Sequence, residues 1–205
     1  MIPITKEVRL FLLVVGGLIA AVHYKYGVAF AWPAWLLFTM LLLLFRDFKR
    51  AVPAIPLAIV SPIDGKVVRV ENVYDPYLAR NAQIICLQQS ILGEVNVHSP
   101  CEGRVQNLWV TSPTTPLYSQ LAVWVQTDEQ DDVVMAANLD SALRHASCNI
   151  SVGERLGQGQ RCGFMAFACE VVIYLPETAH IVVKVGQSVR AGSDMLAEFV
   201  HITTS

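Results

Sequence analysis

Three side chains beyond residue 50 are of types that could do chemistry together: Asp64 in "SPIDG", His98 in "VNVHSP" and Cys169 in "FACEV". A thiol, an imidazole and a carboxylate are the parts of a nucleophile with an activating base and an orienting group. Each also has an ordinary structural interpretation. An Asp in a Pro-x-Asp-Gly turn binds its own backbone, a lone His at a strand end is usually structural, and a small Cys between Ala168 and Glu170 packs in the core.

The cysteine pattern predicts neither a disulfide framework nor a metal site. The chain has five cysteines, an odd number, and no two of them have C-x-x-C spacing. Free thiols in a reducing compartment fit this pattern better. We therefore expect no metal centre, and we expect Cys169 to act as a free thiol if it acts at all.

Composition divides the chain near residue 50. Residues 1–50 carry a net charge of +4, and residues 51–205 carry a net charge of −6. The acidic part is a poor nucleic-acid binder, so we expect no nucleic-acid partner. The basic flank beside an apolar run instead favours contact with anionic lipid. We predict a membrane anchor at 1–50 and a cytoplasmic domain at 51–205.

The anchor is predicted to be a hairpin of two transmembrane helices, at about 10–24 and 28–45. The second segment has 18 residues without a charge, about 27 Å as a helix, which is close to the thickness of a hydrocarbon core. Basic residues flank both outer ends, which places both ends in the cytoplasm and the anchor in the inner membrane. A single span and a shallow re-entrant first segment are the alternatives.

Beyond the anchor, the pattern predicts a compact, mainly β domain with barrel-like, hybrid-motif architecture. "SPIDGKV" at 61–67 recurs as "SPCEGRV" at 99–105, and 151–165 and 184–198 share V-G-x-x-[aliphatic]-x-x-G. These echoes predict internal pseudo-repeats, although such patterns also occur by coincidence in β proteins. Residues 135–150 fit either the start of a helix or a loop that leads into a strand.

Together, these motifs resemble the phosphatidylserine decarboxylase family in its short, membrane-anchored form. The segments "LLFRDFKRAVP", "SPIDGKV", "VHSPCEGRV" and "ISVGERLGQGQRCGFMAFACEVVIYLP" follow the order and rough spacing of that family. "VKVGQSVRAGSDMLAEF" resembles its C-terminal end. The resemblance covers nearly the whole chain, and residues 152–176 carry most of its specificity.

The resemblance implies a self-processing proenzyme. Members of the family cleave themselves at a Gly-Ser bond, and the Ser becomes a pyruvoyl group that decarboxylates phosphatidylserine to phosphatidylethanolamine. Carried onto this chain, Ala168-Cys169 is the cleavage site, Cys169 is the pyruvoyl precursor, and Asp64 and His98 match the activating pair. The implied partners are a phospholipid membrane and phosphatidylserine or another anionic phospholipid; homo-oligomer formation stays open.

The departures from the family pattern fall at the reacting centre. A thiol at Cys169 is a competent nucleophile, but the methyl group of Ala168 hinders attack where Gly permits a strained, uncovered carbonyl. Glu170 and Val172 stand where the family has Arg and Asp.

Two further positions, Gly93 and Val95, match an additional Asp and His of some members, and neither group is present here. Three functions follow: a working carboxy-lyase, a non-catalytic relative that binds a lipid head group or a membrane partner, and a carrier-like β module. We interpret the chain as a phosphatidylserine decarboxylase-like protein of phospholipid metabolism with reduced or lost activity. If the activity is lost, the protein is a pseudoenzyme, and whether it is an enzyme is left open.

Overall fold

The structure is a computed structural model that describes residues 9–44, 55, 57–91, 93–110, 121–138, 145–166 and 169–200. The chain divides into two units, Met1–Lys49 and Arg50–Ser205. The described part of the first unit is helical, and that of the second is built from strands. The predicted fold class, a mainly β domain preceded by apolar helices, is confirmed. Their roles as an anchor and a cytoplasmic domain stay predictions.

The first unit contains two helices close to the predicted bounds, α1 (Arg9–Tyr26) and α2 (Val28–Leu44). They form a hairpin in which Gly16 of α1 faces Phe38 of α2. A Cβ atom on Gly16 would lie 3.2 Å from the ring of Phe38, so the missing side chain lets the helices approach closely. Phe45, which the prediction placed in the second helix, lies outside the described residues.

Among the described helices, α1 is long and apolar enough to cross a membrane, whereas the apolar part of α2 spans Ala31–Leu43 and is shorter. The sequence predicts that both segments span the membrane, with a single span as an alternative. A signal sequence near the N-terminus can also be this long and this apolar. The two-span anchor and its orientation therefore stay predictions.

The described residues of the second unit form short strands, numbered in chain order. They are β1 (Ala58–Val60), β2 (Gly65–Asp75), β3 (Arg80–Gln89), β4 (Asn96–His98), β5 (Gly103–Val110), β6 (Leu121–Gln126), β7 (Asp132–Asn138), β8 (His145–Cys148), β9 (Arg155–Leu156), β10 (Arg161–Ala166), β11 (Glu170–Leu175), β12 (His180–Ile181), β13 (Ser188–Val189) and β14 (Met195–Glu198). Residues 135–138 and 145–148 are strands, so the helical interpretation of 135–150 is wrong for these residues. The loop that leads into a strand describes them better.

The strands form three antiparallel sheets. The largest has the order β13-β2-β3-β11-β7-β6-β5-β9, and the two smaller sheets have the orders β1-β14-β12 and β4-β10-β8. In the large sheet, β3 lies between β2 and β11 and is antiparallel to both. As a result, β2 and β11 begin at the same edge of the sheet.

The two "SP" echoes fold in the same way. The hydroxyl of Ser61 donates to the carbonyl oxygen of Ile63 at 2.7 Å, and the hydroxyl of Ser99 donates to that of Cys101 at 2.8 Å. The echoes also cross: the N–H of Val60 donates to Pro100 O at 2.8 Å. The equivalent turns are therefore adjacent halves of one pseudo-symmetric unit.

Each turn is followed by a glycine that meets a neighbouring strand. A Cβ atom on Gly65 would lie 2.3 Å from the carbonyl oxygen of Gln88, and one on Gly103 would lie 2.3 Å from that of Gln126. Only glycine permits such an approach of two backbones. The second echo also supplies glycines with positive φ in matching pairs: Gly153 with Gly186, and Gly159 with Gly192. The predicted pseudo-repeats are confirmed.

Strand β11 shows how the domain core is built. Val171, Ile173 and Leu175 are fully buried, and the residues between them are only partly buried. This alternation with a period of two residues directs one face of the strand to the core. The buried side chains of Ile85 and Leu87 on β3 belong to the same cluster. Each such aliphatic side chain contributes about 1.5–3 kcal/mol by its burial.

Candidate functional site

Cys169 directly precedes β11 and is fully buried. Its N–H donates to Oε1 of Gln89 at 3.2 Å, and its carbonyl oxygen accepts from the N–H of Gln89 at 3.0 Å. Nε2 of Gln88 also donates to this carbonyl oxygen, at 3.4 Å. The end of β3 therefore holds the backbone of Cys169 on both sides. Ala168, the other residue of the predicted cleavage site, lies outside the described residues.

Asp64 directly precedes β2 and is 7% exposed. Its Oδ2 accepts from the N–H of Glu94 at 2.8 Å, and its Oδ1 accepts from the N–H of Ala191 at 2.7 Å. The sequence suggested an Asp that binds its own turn. In the structure its carboxylate joins two segments that are distant along the chain, one before β4 and one after β13.

The register of the large sheet brings Asp64 and Cys169 to the same edge. Gly65 pairs with Gln89, and Glu170 pairs with Gln88, so the residues before β2 and β11 flank the end of β3. Two strand spacings separate them, about 10 Å. The structure thus places the predicted nucleophile and the predicted carboxylate on either side of one strand end.

His98 is the last residue of β4, and its side chain is 16% exposed. Its Nδ1 lies 2.8 Å from the carbonyl oxygen of Gly159, and its Nε2 lies 3.2 Å from Oε1 of Glu94. A Cβ atom on Gly192 would lie 3.1 Å from Nδ1. Because the preceding Ala191 donates to Asp64, one tight turn touches both residues of the predicted activating pair.

The structure adds two polar residues that sequence reasoning missed, Glu94 and Asn96. Glu94 is 1% exposed, and its Oε1 accepts from Nδ2 of Asn96 at 2.7 Å as well as facing His98. The signal was the alternation E-V-N-V-H, in which the polar residues recur with the period of a strand. Glu94 connects the predicted pair, because its N–H binds Asp64 while its carboxyl group faces His98.

Gln89 connects this group to Cys169. Its side-chain amide is 4% exposed and donates to Met165 O at 2.9 Å and to Glu94 O at 3.4 Å, while its oxygen accepts from Cys169. Gln89 was also missed by the sequence, because it carries no charge and lies in no motif. Its buried amide fixes the position of the Cys169 nitrogen relative to the segment that holds Glu94.

Cys101, a thiol three residues after His98, does not have the properties of a nucleophile. It is buried, and desolvation raises its pKa to about 12, so it carries almost no thiolate at neutral pH. A cavity of about 570 Å³ lies beside it, on the second of the two duplicated turns, where Glu102 occupies the place of Asp64. Among the described residues, no group of three or more His, Cys, Asp or Glu is placed to hold a metal ion.

The arrangement fits an intramolecular reaction. A nucleophile that attacks the carbonyl next to it in the chain needs no channel for a substrate, so burial does not deny Cys169 access to this carbonyl. The fixed N–H of Cys169 belongs to the bond that would break, and holding this group in place is a positioning contribution.

Comparison with known proteins identifies the family. The model of the family described as phosphatidylserine decarboxylase matches residues 37–197. The phosphatidylserine decarboxylase proenzyme of Nitrosomonas europaea is 33% identical over 187 residues, which cover 87% of each chain. The proenzyme of Burkholderia multivorans is 32% identical over 205 residues, which cover 95% of each chain. The chain belongs to the phosphatidylserine decarboxylase family, as its motifs predicted.

One solved structure shows a weak likeness. The glucose permease IIA from Mycoplasma capricolum has a TM-score of 0.44 and 16% sequence identity, and the match covers 69% of this chain and 94% of that one. A likeness at this level carries no argument about function.

Proposed function

We propose that the protein is a membrane-anchored, phosphatidylserine decarboxylase-like proenzyme of phospholipid metabolism whose self-processing at Ala168-Cys169 is reduced or lost. Family membership supports the general function. The observation that carries the proposal is the position of Cys169, which Gln89 holds directly before β11, two strand spacings from the turn of Asp64. The substitution of Gly-Ser by Ala-Cys at this position supports the reduction.

The processing reaction can be written for this chain with all atoms accounted for. The thiol of Cys169 attacks the carbonyl carbon of Ala168, a C–S bond forms, the C–N bond breaks, and the nitrogen takes up a proton. Loss of the Cα proton of Cys169 then breaks its Cβ–S bond. The sulfur stays with residues 1–168 as a thiocarboxylate, and water releases ammonia from the new N-terminus to leave a pyruvoyl group.

The pyruvoyl group, once formed, would supply an electron sink for the loss of carbon dioxide from phosphatidylserine. The residues of this chain would act before that step. Gln89 orients the scissile nitrogen through the N–H of Cys169, and Asp64 holds the segments that carry Glu94 and the turn of Ala191. Asp64 and His98 are the proposed activating pair, and Cys169 is the proposed nucleophile.

The methyl group of Ala168 and the thiol of Cys169 change different parts of this reaction. The methyl group slows attack by covering the carbonyl and by restricting the backbone. The thiol makes the first acyl shift easier but leaves a thioester whose sulfur must depart in the elimination. We therefore expect the methyl group of Ala168 to lower the rate of self-cleavage more than the thiol of Cys169 does.

Denaturing mass spectrometry of the purified full chain tests the proposal. We expect mostly an intact chain of 22.6 kDa. The double variant Ala168→Gly with Cys169→Ser should yield two chains, 1–168 and 169–205, the second with a blocked N-terminus. Cys169→Ala is the matched control and should stay intact.

Two results would contradict the proposal. Complete cleavage of the natural chain, with conversion of phosphatidylserine to phosphatidylethanolamine, would show that the activity is not reduced. An intact double variant that is folded would show that this position is not the processing site.

The alternative is a non-catalytic relative that binds an anionic phospholipid head group. The departures at Ala168 and Cys169 favour it, because they leave the rest of the domain in place. Sedimentation with phosphatidylserine vesicles, compared with phosphatidylcholine vesicles, measures this binding. Equal binding of residues 51–205 to both kinds of vesicle would exclude head-group recognition.

A further inference from the structure

The hydrogen bonds of His98 determine where its protons are. Nδ1 lies 2.8 Å from the carbonyl oxygen of Gly159. A carbonyl oxygen can only accept, so Nδ1 carries a hydrogen. In a neutral imidazole with its hydrogen on Nδ1, the other nitrogen is an acceptor.

That second nitrogen faces another acceptor. Nε2 of His98 lies 3.2 Å from Oε1 of Glu94, within hydrogen-bonding distance. A carboxylate oxygen and an unprotonated ring nitrogen repel each other, so a proton must lie between them. The pair is either an imidazolium with a carboxylate or a neutral imidazole with a carboxylic acid, and both forms contain this one proton.

The surroundings of Glu94 keep the proton in place. The residue is 1% exposed, and its Oε1 accepts one further hydrogen bond, from Asn96 at 2.7 Å. Its Oε2 has no hydrogen-bond partner among the residues that the structure describes. A carboxylate without the shared proton would therefore be a buried charge with half of its acceptors empty, which is costly.

We propose that Glu94 is a positioning residue that shares one proton with His98 and thereby fixes the orientation and the protonation of this histidine. The inference rests on the proposed function and deepens it. Both ring nitrogens are occupied, Nδ1 by the carbonyl oxygen of Gly159 and Nε2 by Glu94, so the shared proton holds the imidazole in one orientation.

Proton and nitrogen NMR of the full chain in detergent, labelled with ¹⁵N-histidine, tests the shared proton directly. We expect a low-field proton resonance that belongs to His98, identified by its loss in His98→Asn. It should disappear in Glu94→Gln, whose amide has the same size and can donate to Nε2. Glu102→Gln, a substitution of an exposed glutamate outside the site, should retain the resonance. Nδ1 of His98 should be protonated in all three proteins that contain it.

Three results would overturn the inference: no low-field proton in the wild-type chain, a resonance that survives Glu94→Gln, or an unprotonated Nδ1. The first is measured without any variant, so the test does not depend on the folding of Glu94→Gln. The outcome is also separate from processing. An uncleaved double variant with the shared proton contradicts only the proposed function, and a cleaved one without it contradicts only this inference.

Discussion

Replacing Asp64 by Asn should destabilise the domain far more than the equivalent change in the duplicated turn. The carboxylate of Asp64 is 7% exposed and accepts two backbone hydrogen bonds, from Glu94 at 2.8 Å and from Ala191 at 2.7 Å. Hydrogen bonds to a charged group contribute about 1.5–3 kcal/mol each. Asn retains one acceptor as an ordinary bond of about 1 kcal/mol and turns its NH₂ group toward the other N–H. The expected loss in the free energy of unfolding is therefore about 2–5 kcal/mol.

The duplication supplies a matched control in Glu102→Gln. The side chain of Glu102 is 62% exposed and forms an ion pair with Arg155 on the surface. Such pairs contribute about 0–1 kcal/mol. Both substitutions remove one negative charge and keep the side-chain length, so they differ mainly in burial and in the backbone groups that lose a partner.

Thermal unfolding of the full chain in detergent, followed by circular dichroism, measures the difference. At about 2–4 °C per kcal/mol for a domain of this size, Asp64→Asn should lower Tm by about 4–20 °C, and Glu102→Gln by about 4 °C or less. Equal shifts for the two variants would refute the claim that the buried carboxylate holds the segment before β4 and the turn after β13 together.

Two further predictions concern the same domain. Gly192→Ala should displace the ring of His98 from Gly159, because the new Cβ atom would lie 3.1 Å from Nδ1 of His98. Gly186→Ala is the control: Gly186 also has a positive φ, but a Cβ atom there would lie 4.0 Å from its nearest neighbour. This variant should destabilise the chain without changing the NMR signals of His98. Mass spectrometry after alkylation at neutral pH should show Cys148 modified before Cys101: burial raises both pKa values, to about 11 and about 12, and Cys148 is the less buried. A raised pKa means that little thiolate is present at any pH below that pKa, so the labelling of Cys148 should become faster as the pH increases. Faster labelling of Cys101 than of Cys148 in the native chain would contradict the burial argument.

The turns of the domain could be predicted because their residues specify the local backbone. Ser61 and Ser99 each bond two residues ahead, and the glycine that follows each turn meets a neighbouring strand. These are properties of short segments, and they recur wherever the segment recurs. The alternation in β11 likewise follows from its sequence.

The partners of His98 could not be predicted in this way. Gly159 is 61 positions away along the chain, and its carbonyl oxygen reaches Nδ1 only because the second echo folds back onto the first. The order of the eight strands in the large sheet is also set by long-range packing, which no local pattern encodes. The sequence therefore yields a prediction of which residues carry the chemistry, but it does not show which groups contact them.

The alternation of side chains along a strand changes how the absence of an Asp at position 93 and of a His at position 95 is interpreted. Val95 is 6% exposed, whereas Glu94 and His98 contact each other on the opposite face of the segment. A side chain at Gly93 would place its Cβ 2.5 Å from the Cβ of Asp64, so no larger residue fits there unless Asp64 moves.

A carboxyl group at position 94, in contrast, reaches Nε2 of His98 without a clash. The site therefore keeps an acid next to the histidine, and the empty positions beside it do not by themselves imply a loss of proton transfer. The case for reduced processing then depends on the cleavage segment, above all on Ala168 and Cys169. If Ala168→Gly restores cleavage while Cys169 is kept, the methyl group of Ala168 limits the reaction sterically. If only Cys169→Ser restores cleavage, the departure of sulfur from the thioester limits it.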